Sequence, residues 1–207
     1  MNVLVTGATG FVGSRLVPAL LAAGHDVRAM SRAPEAYDAP AGVDVVGGDL
    51  LDGETLAGAF EGIEAAYYLV HSMGSGPDYA ERDRRAARNF AEAASAAGVE
   101  RVIYLGGLGE EGSDLSDHLR SRREVEAVLA EGRYDLTTLR AAIIVGAGSA
   151  SFETIRQLVS RLPVMVTPRW VRTPCQPIAI EDMIAYLVGV LDAPETAGET
   201  YEIGGPD

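Results

Sequence analysis

The stretch from Thr6 to Gly13, which reads Thr-Gly-Ala-Thr-Gly-Phe-Val-Gly, constrains the fold of this chain more than any other. A short apolar run precedes it at residues 3–5, and an amphipathic run follows at residues 11–23, so the pattern predicts a strand, a glycine-rich turn and a helix. In such a unit one glycine permits the tight turn, a second lets the backbone approach a pyrophosphate, and a third lets the helix pack on the strand.

This turn is a candidate dinucleotide site. The first N–H groups of a helix have no intrahelical partner and carry a partial positive charge, which favours phosphate groups. We expect cofactor contacts from Gly7, Thr9, Gly10, Phe11, Val12 and Gly13. The alternative is a glycine-rich turn that binds no ligand.

The composition excludes several functional classes. The chain has 207 residues, enough for one sizeable core, and its formal net charge is −13. An acidic surface argues against non-specific nucleic-acid binding and against anionic membranes. Cys175 is the only cysteine, so no internal disulfide is possible. The first strand leaves no room for a signal peptide, and no apolar run could span a bilayer, so we expect a cytoplasmic protein. We predict no metal site.

The order of predicted elements indicates an α/β fold. Apolar runs with strand character lie at residues 3–5, 26–30, 43–46, 65–70, 101–105, 136–140 and 200–203, and residues 143–145 are interpreted as an extension of the sixth. Helical patterns lie at residues 11–23, 52–60, 79–97, 117–130, 151–161 and 181–191. Alternation of this kind predicts a doubly wound, mostly parallel sheet of about seven strands.

The glycine stretch also resembles a known superfamily. Its spacing, Gly-x-x-Gly-x-x-Gly, is one residue longer than the dehydrogenase pattern Gly-x-Gly-x-x-Gly. It resembles the short-chain dehydrogenase/reductase superfamily in its extended and atypical branches, whose members typically read Thr-Gly-Ala-Thr-Gly-Phe-(Val/Ile)-Gly at this place. The resemblance implies a Rossmann fold that binds NAD(P).

The residues after the second strand favour NADP(H) over NAD(H). An acid at this place would accept hydrogen bonds from the 2′-hydroxyl of NAD and would repel a 2′-phosphate. The strand instead runs into Ser31 and Arg32, with no acid before Glu35. Serine can donate a hydrogen bond to phosphate, and arginine can form a charged fork to it. The alternative is that Arg32 is a solvated loop residue.

Two further strand ends resemble cofactor contacts of the superfamily. Asp49-Leu50 resembles the Asp-(Val/Leu) pair beside the adenine, where the aspartate accepts from the exocyclic amine. Alternatively, Asp49 caps the helix predicted to start near residue 52. Leu69, Val70 and His71 follow the fourth strand, where the superfamily passes its backbone along the cofactor ribose. Alternatively, His71 is a histidine satisfied at a strand end.

The catalytic set of the superfamily is altered in this chain. Ordinary members have a serine at the end of strand five and Tyr-x-x-x-Lys on the next helix. Here Gly106 or Gly107 takes the serine position, where either could admit the nicotinamide ring or a flat substrate. His118 stands in the register of the tyrosine and Arg122 in that of the lysine, four residues apart on one helix face.

This pair keeps part of the superfamily's chemistry. Arg122 can hydrogen-bond to ribose hydroxyls, but it stays charged and cannot relay a proton. His118 is a candidate general acid near neutral pH. The alternative is an exposed histidine in the first turn of a helix.

Other stretches narrow the resemblance to atypical, NmrA-like and epimerase-like NAD(P)H-binding proteins. They lie at residues 116–126, 139–153, 176–180 and 201–207, so the resemblance covers essentially the whole chain. It implies one NAD(P)-binding Rossmann domain over residues 1–207, with residues of about 146–180 on the substrate side. Related chains often continue past the Gly-Gly-Pro-Asp end, which leaves open that this chain is a fragment.

Two classes of function fit this sequence. The first is an NADPH-dependent oxidoreductase of unknown substrate, assisted by His118. The second is a non-catalytic NADP(H)-binding redox sensor or accessory protein that acts through a regulatory partner. The missing serine, tyrosine and lysine favour the second, whereas the His118–Arg122 pair and the two glycines leave the first open.

Overall fold

Strands and helices alternate along the chain, which a computed structural model describes at residues 1–71, 78–109, 116–161 and 176–205. The strands are β1 (Asn2–Thr6), β2 (Asp26–Ser31), β3 (Asp44–Gly47), β4 (Ala65–Tyr68), β5 (Arg101–Gly107), β6 (Asp135–Ala141), β7 (Ile143–Val145), β8 (Pro177–Ala179) and β9 (Thr200–Ile203). The helices are α1 (Gly13–Ala22), α2 (Ala57–Phe60), α3 (Tyr79–Ala97), α4 (Asp117–Leu129), α5 (Ala150–Arg161) and α6 (Ile180–Asp192).

Seven of the strands form the main sheet, in the order β3-β2-β1-β4-β5-β6-β9. All of its strand pairs are parallel. The chain first builds outward from β1 to β3 and then returns to place β4 on the other side of β1. This reversal creates a crevice at the carboxyl ends of β1 and β4, where open α/β sheets bind ligands. The predicted doubly wound fold with about seven parallel strands is confirmed.

The side chains of the central strands alternate between two apolar cores. On one face, Val3, Val5 and Tyr67 pack with apolar residues of α1 and α6. On the other face, Leu4 and Tyr68 pack with residues of α2, α3 and α4. Because both faces of the sheet are covered, the central strands read as continuous apolar runs rather than as alternating ones.

A second, two-stranded sheet corrects one prediction. Strand β7 pairs in parallel with β8, with Ile143 opposite Pro177 and Val145 opposite Ala179. The prediction that residues 143–145 extend the sixth strand is therefore wrong, because the chain turns away at Ala142 and pairs elsewhere.

Among the helices of the described residues, none has both the length and the apolar character needed to cross a bilayer.

Smaller differences concern element ends. The segment predicted as a helix at residues 52–60 is a 3₁₀ turn at Gly53–Thr55 followed by α2. The side chain of Asp52 causes this tight start, because its Oδ1 accepts a hydrogen bond from the N–H of Glu54 at 3.3 Å. Strand β4 ends at Tyr68, whereas β5 continues through Gly106 and Gly107.

Candidate cofactor and active site

Three short distances between backbone groups define the glycine turn after β1. Gly7 has a φ of +72°, and a side chain there would lie 3.1 Å from the carbonyl oxygen of Leu69, just past β4. The N–H of Gly10 donates to the oxygen of Gly7 at 2.9 Å. A Cβ at Gly13 would lie only 2.2 Å from that same oxygen. The turn therefore requires glycine for its backbone at the first position and for helix packing at the last.

The first turn of α1 offers N–H groups to a ligand. Its N-cap is Val12, and no side chain caps the helix. Within the described residues, no acceptor is recorded for the N–H groups of Phe11, Val12 and Gly13, while Thr9 and Gly10 are exposed. Donors of this kind at a helix N-terminus bind phosphate groups. The residues present fit the pyrophosphate of a dinucleotide.

At the end of β2, Ser31 and Arg32 lie at the same edge of the sheet as the glycine turn. The hydroxyl oxygen of Ser31 accepts from the N–H of Ala33 at 3.1 Å. Arg32 is exposed and has no ion-pair partner among the residues described. The guanidinium is thus available to an anion beyond the strand end.

Asp49 and Leu50, which follow β3, are held in place by hydrogen bonds and by packing in the core. The carboxylate of Asp49 accepts from the N–H of Leu51 at 2.9 Å. The side chain of Leu50 is buried in the core beneath α2 and α3, and its carbonyl oxygen accepts from Asn89 at 2.8 Å. The helix-capping role considered for Asp49 is carried out by Asp52.

His71 and His118 come together from two different elements. Leu69, Val70 and His71 follow β4 and are half-buried, whereas His118 lies in the first turn of α4 and is exposed. The two imidazole rings lie 6.4 Å apart between centroids, at an angle of 71°. Burial, then Arg122 and His118, lower the pKa of His71 to about 4, so His71 is neutral at physiological pH.

Arg122 packs against the end of β5. A side chain at Gly107 would lie 2.9 Å from Leu119 and 3.6 Å from the Cγ of Arg122, so glycine lets α4 approach the strand. The carbonyl oxygen of Arg122 accepts from the hydroxyl of Tyr104 at 3.2 Å. The Nε of Arg122 is buried and has no hydrogen-bond partner among the described residues. Partial burial and the Arg122 charge lower the pKa of His118.

Sequence reasoning missed a buried carboxylate beside this pair. Asp83 on α3 is only 6% exposed, and the hydroxyl of Ser121 on α4 donates to its Oδ2 at 3.4 Å. The signal was present in the sequence. Asp83 stands four and seven residues before Ala87 and Phe90, on the helix face that these apolar residues bury.

The loop after β7 is tied to the glycine turn by Arg15. The Arg15 guanidinium donates to the oxygen of Phe11 at 2.8 Å and to that of Ala147 at 2.7 Å. It also lies over the Phe11 ring, 4.5 Å from its centroid.

Residues 162–175 of the predicted substrate side, including Cys175, lie outside the described residues. The described residues contain no group of three or more His, Cys, Asp or Glu side chains able to hold a metal ion.

Comparison with known proteins identifies the family. A sequence model described as NAD(P)H-binding matches residues 7–157, which include the glycine turn, both histidines and Arg122. The chain belongs to the NAD(P)H-binding family. The predicted resemblance to NAD(P)H-binding proteins is thereby confirmed.

The chain is also similar in sequence to two characterised enzymes. A 3-beta-hydroxysteroid dehydrogenase of Mycolicibacterium neoaurum is 36% identical over 113 residues, which cover 50% of this chain and 31% of that protein. The (4-alkanoyl-5-oxo-2,5-dihydrofuran-3-yl)methyl phosphate reductase of Streptomyces griseus is 31% identical over 214 residues, covering 99% of this chain and 68% of that one. The match with the dehydrogenase thus spans less than a third of the relative's length.

The fold is shared with solved structures of the short-chain dehydrogenase/reductase superfamily. One such protein from Agrobacterium tumefaciens, crystallised with bound NAD, superimposes with a TM-score of 0.79 at 24% identity. The match covers 99% of this chain and 78% of that one. At this level of identity the likeness establishes the fold, and the chemistry has to be argued from the residues.

Proposed function

We propose that this chain is an NADPH-dependent reductase that acts on a conjugated or simple carbonyl compound. One observation carries the proposal: three close approaches join residues at the carboxyl ends of β1, β4 and β5 to one another and to α4. Gly7 meets Leu69, the His71 ring lies beside that of His118, and Arg122 packs over Gly107. The residues proposed to bind the cofactor and the residue proposed to donate a proton therefore belong to the same edge of the sheet, which supports a reductase.

The choice of NADP(H) rests on the end of β2. Ser31 and Arg32 stand where the adenosine ribose is read in folds of this kind. An exposed guanidinium without an ion-pair partner among the described residues favours a 2′-phosphate over a hydroxyl. The remaining cofactor contacts are proposed at the glycine turn, at Asp49 and Leu50, and along the backbone of residues 69–71.

The proposed chemistry divides between the two residues of α4. NADPH, when bound, supplies a hydride. His118 donates the proton that neutralises the reduced substrate, at its oxygen or at the carbon beside its carbonyl. Arg122 hydrogen-bonds to the ribose hydroxyls and holds its charge at every physiological pH. Gly106 and Gly107 allow close packing at the end of β5, because a Cβ would lie 3.1 Å from the Tyr104 ring at the first and 2.9 Å from Leu119 at the second.

We infer the substrate class from one relative that matches nearly the whole chain. The name of the Streptomyces griseus reductase describes an unsaturated lactone that carries an acyl group and a phosphate ester. A conjugated carbonyl accepts hydride and then a proton, which is the pair of steps that the site supports. We propose that residues of about 146–180 form the substrate side of one domain over residues 1–207. The protein is proposed to act in the cytoplasm.

A redox sensor or accessory subunit is the second candidate. It is favoured by the replacement of the superfamily's serine by glycine and of its tyrosine by a histidine that is exposed to solvent. Such a protein would bind NADP(H) in the same crevice, transfer no hydride and act through a protein partner.

One experiment separates the two candidates. NADPH oxidation is measured with a panel of enones, unsaturated lactones, quinones and aldehydes, using the unmodified protein and His118→Ala. A reductase oxidises NADPH with at least one class of acceptor and slows when His118 is lost. If the protein binds NADPH but reduces no acceptor in the panel, the reductase proposal fails and the sensor is favoured.

A further inference from the structure

Asp83 is a buried charged side chain for which the proposed chemistry gives no role. It lies on α3, 6% exposed, and receives the Ser121 hydroxyl from α4 at 3.4 Å. Burying a carboxylate is costly unless charges and hydrogen bonds compensate. A buried carboxylate at the edge of a ligand crevice therefore points to a role beyond packing.

The compensating groups are those of the candidate active site. Ser121 stands on α4 between His118 and Arg122, one turn after the first and next to the second. The His118 ring in turn lies beside that of His71, at 6.4 Å between centroids. The carboxylate of Asp83 thus lies behind the turn of α4 that presents both proposed functional residues.

Other titratable groups near this cluster, among the described residues, lie on β4, β5 and α4. Tyr68 on β4 and Tyr104 on β5 both lie within electrostatic range of Asp83 and Arg122. Burial raises the pKa of Tyr104 to about 12 and raises that of Tyr68 still further, so both hydroxyls stay neutral. Glu126, which also acts on Tyr104, is engaged by Arg140 at 2.6 Å. Among the described residues, the charged side chains that act on both histidines are Asp83 and Arg122.

These two charges act on the histidines in opposite directions. Burial and Arg122 disfavour the charged imidazolium and lower the pKa of both His71 and His118. Asp83 favours the imidazolium and offsets part of this lowering. A general acid must carry its proton at the working pH. Without Asp83, the charge of Arg122, four residues away on the same helix face, would lower the pKa of His118 further.

We propose that Asp83 is the positioning residue of this site: its buried carboxylate holds the first turns of α4 through Ser121 and offsets the charge of Arg122, so that His118 can hold a proton. This role rests on the proposed function, since the proton is the one that a reductase would deliver. The state of His118 can nevertheless be measured without turnover.

The test is an NMR titration of the three histidines in the full chain. Asp83→Asn removes the charge and keeps an oxygen that can accept from Ser121. We expect the titration midpoints of His118 and His71 to move to lower pH. His25 serves as an internal reference, because it precedes β2 at the opposite, amino end of the sheet.

Matched variants separate charge from packing. Glu81→Gln removes the same charge from the same helix, but at a side chain that is 65% exposed and bound to Arg84. Ser121→Ala removes the hydrogen bond and keeps the carboxylate. Glu81→Gln should leave both midpoints unchanged, and Ser121→Ala should move them less than Asp83→Asn does. If Asp83→Asn does not fold, Asp83→Ser removes the charge while keeping a polar atom, with the same expectation.

Two results would overturn the role of Asp83. In one, removal of its charge leaves the midpoint of His118 where it was. In the other, the midpoint of His25 moves as far as that of His118, which indicates a general rearrangement. Failure of the reductase proposal looks different, since no acceptor is then reduced even though the midpoints respond as expected. A working reductase with an unmoved His118 midpoint would reject the inference about Asp83 alone.

Discussion

The closest approach in the cofactor turn predicts the effect of a single added methyl group. In Gly13→Ala, the new Cβ would lie 2.2 Å from the oxygen of Gly7 and 2.8 Å from the Cα of Ala8. Carbon–carbon contacts are favourable only near 3.5 Å or more, so the backbone must move by about 1 Å. Both crowded groups are backbone atoms, which cannot swing aside as a flexible side chain would. The substitution therefore disturbs the N–H groups that are proposed to bind the pyrophosphate.

The magnitude follows from the cost of overpacking. Forcing an extra methyl group into a close-packed site typically costs about 1–3 kcal/mol. If the turn has to recover its parental shape to bind NADPH, the same free energy appears as a dissociation constant raised by roughly 5- to 150-fold. If the folded protein carries the strain at all times, the cost appears instead in the free energy of unfolding.

Calorimetric titration with NADPH and urea unfolding together measure both quantities. Gly189→Ala is the matched control, because it adds the same methyl group within α6, where no described atom outside the adjoining helix backbone lies within 4 Å of the new Cβ. We expect its affinity for NADPH to be parental and its stability to rise by up to about 1 kcal/mol, since alanine is the better helix former. Gly10→Ala, whose Cβ would lie 3.1 Å from the oxygen of Gly7, should be milder than Gly13→Ala.

The outcome that refutes this reasoning is specific. If Gly13→Ala folds with parental stability and also binds NADPH with parental affinity, the close approach does not shape the cofactor site. Equal behaviour of Gly13→Ala and Gly189→Ala in both measurements would refute it as well.

Three further predictions concern charge and protonation. Arg32→Ala should weaken NADPH binding by about 1.5–3 kcal/mol and leave NADH binding unchanged; equal parental affinity for the two cofactors by calorimetry would contradict this. His118→Ala should lower turnover roughly 10²–10⁴-fold with little change in cofactor affinity, whereas Arg122→Ala should mainly weaken cofactor binding in the same assays. The pKa of His71 is about 4 in the folded chain against an ordinary 6.5, so in this window the unfolded chain binds more protons and stability should fall as the pH drops from 6.5 towards 4. His71→Gln should flatten this slope in urea unfolding at several pH values, and an unchanged slope would contradict the assignment.

Much of the fold could be predicted from the sequence, because local signals and tertiary structure agree. Helix α3 has the predicted bounds, and Gly98 ends it in the left-handed conformation at a φ of +74°. Strand β9 also has its predicted bounds. Strand β8 escaped notice because it has only three residues and starts with a proline. Its existence depends on pairing with β7, which no local pattern could indicate.

The candidate site was less predictable than the fold. Parallel strands bring their carboxyl ends to one edge, so the sequence could place His71 and His118 at the same end of the sheet. It could not predict that their rings lie side by side, because this depends on how α4 packs over Gly107. Asp83 was hidden within a run of charged residues, and only its helical register with Phe90 marks it as buried.

Arg15 joins the glycine turn to the loop after β7, and this link is expected to couple the order of the two segments. The same guanidinium binds the carbonyl of Phe11, beside the proposed pyrophosphate donors, and that of Ala147, in the loop that opens the proposed substrate side. Coupling between two sites is reciprocal, so a cofactor that fixes the first loop also lowers the entropic cost of ordering the second. We therefore expect that shortening or exchanging the loop around Ala147 lowers the affinity for the dinucleotide, because Arg15 then loses one of its two carbonyl partners.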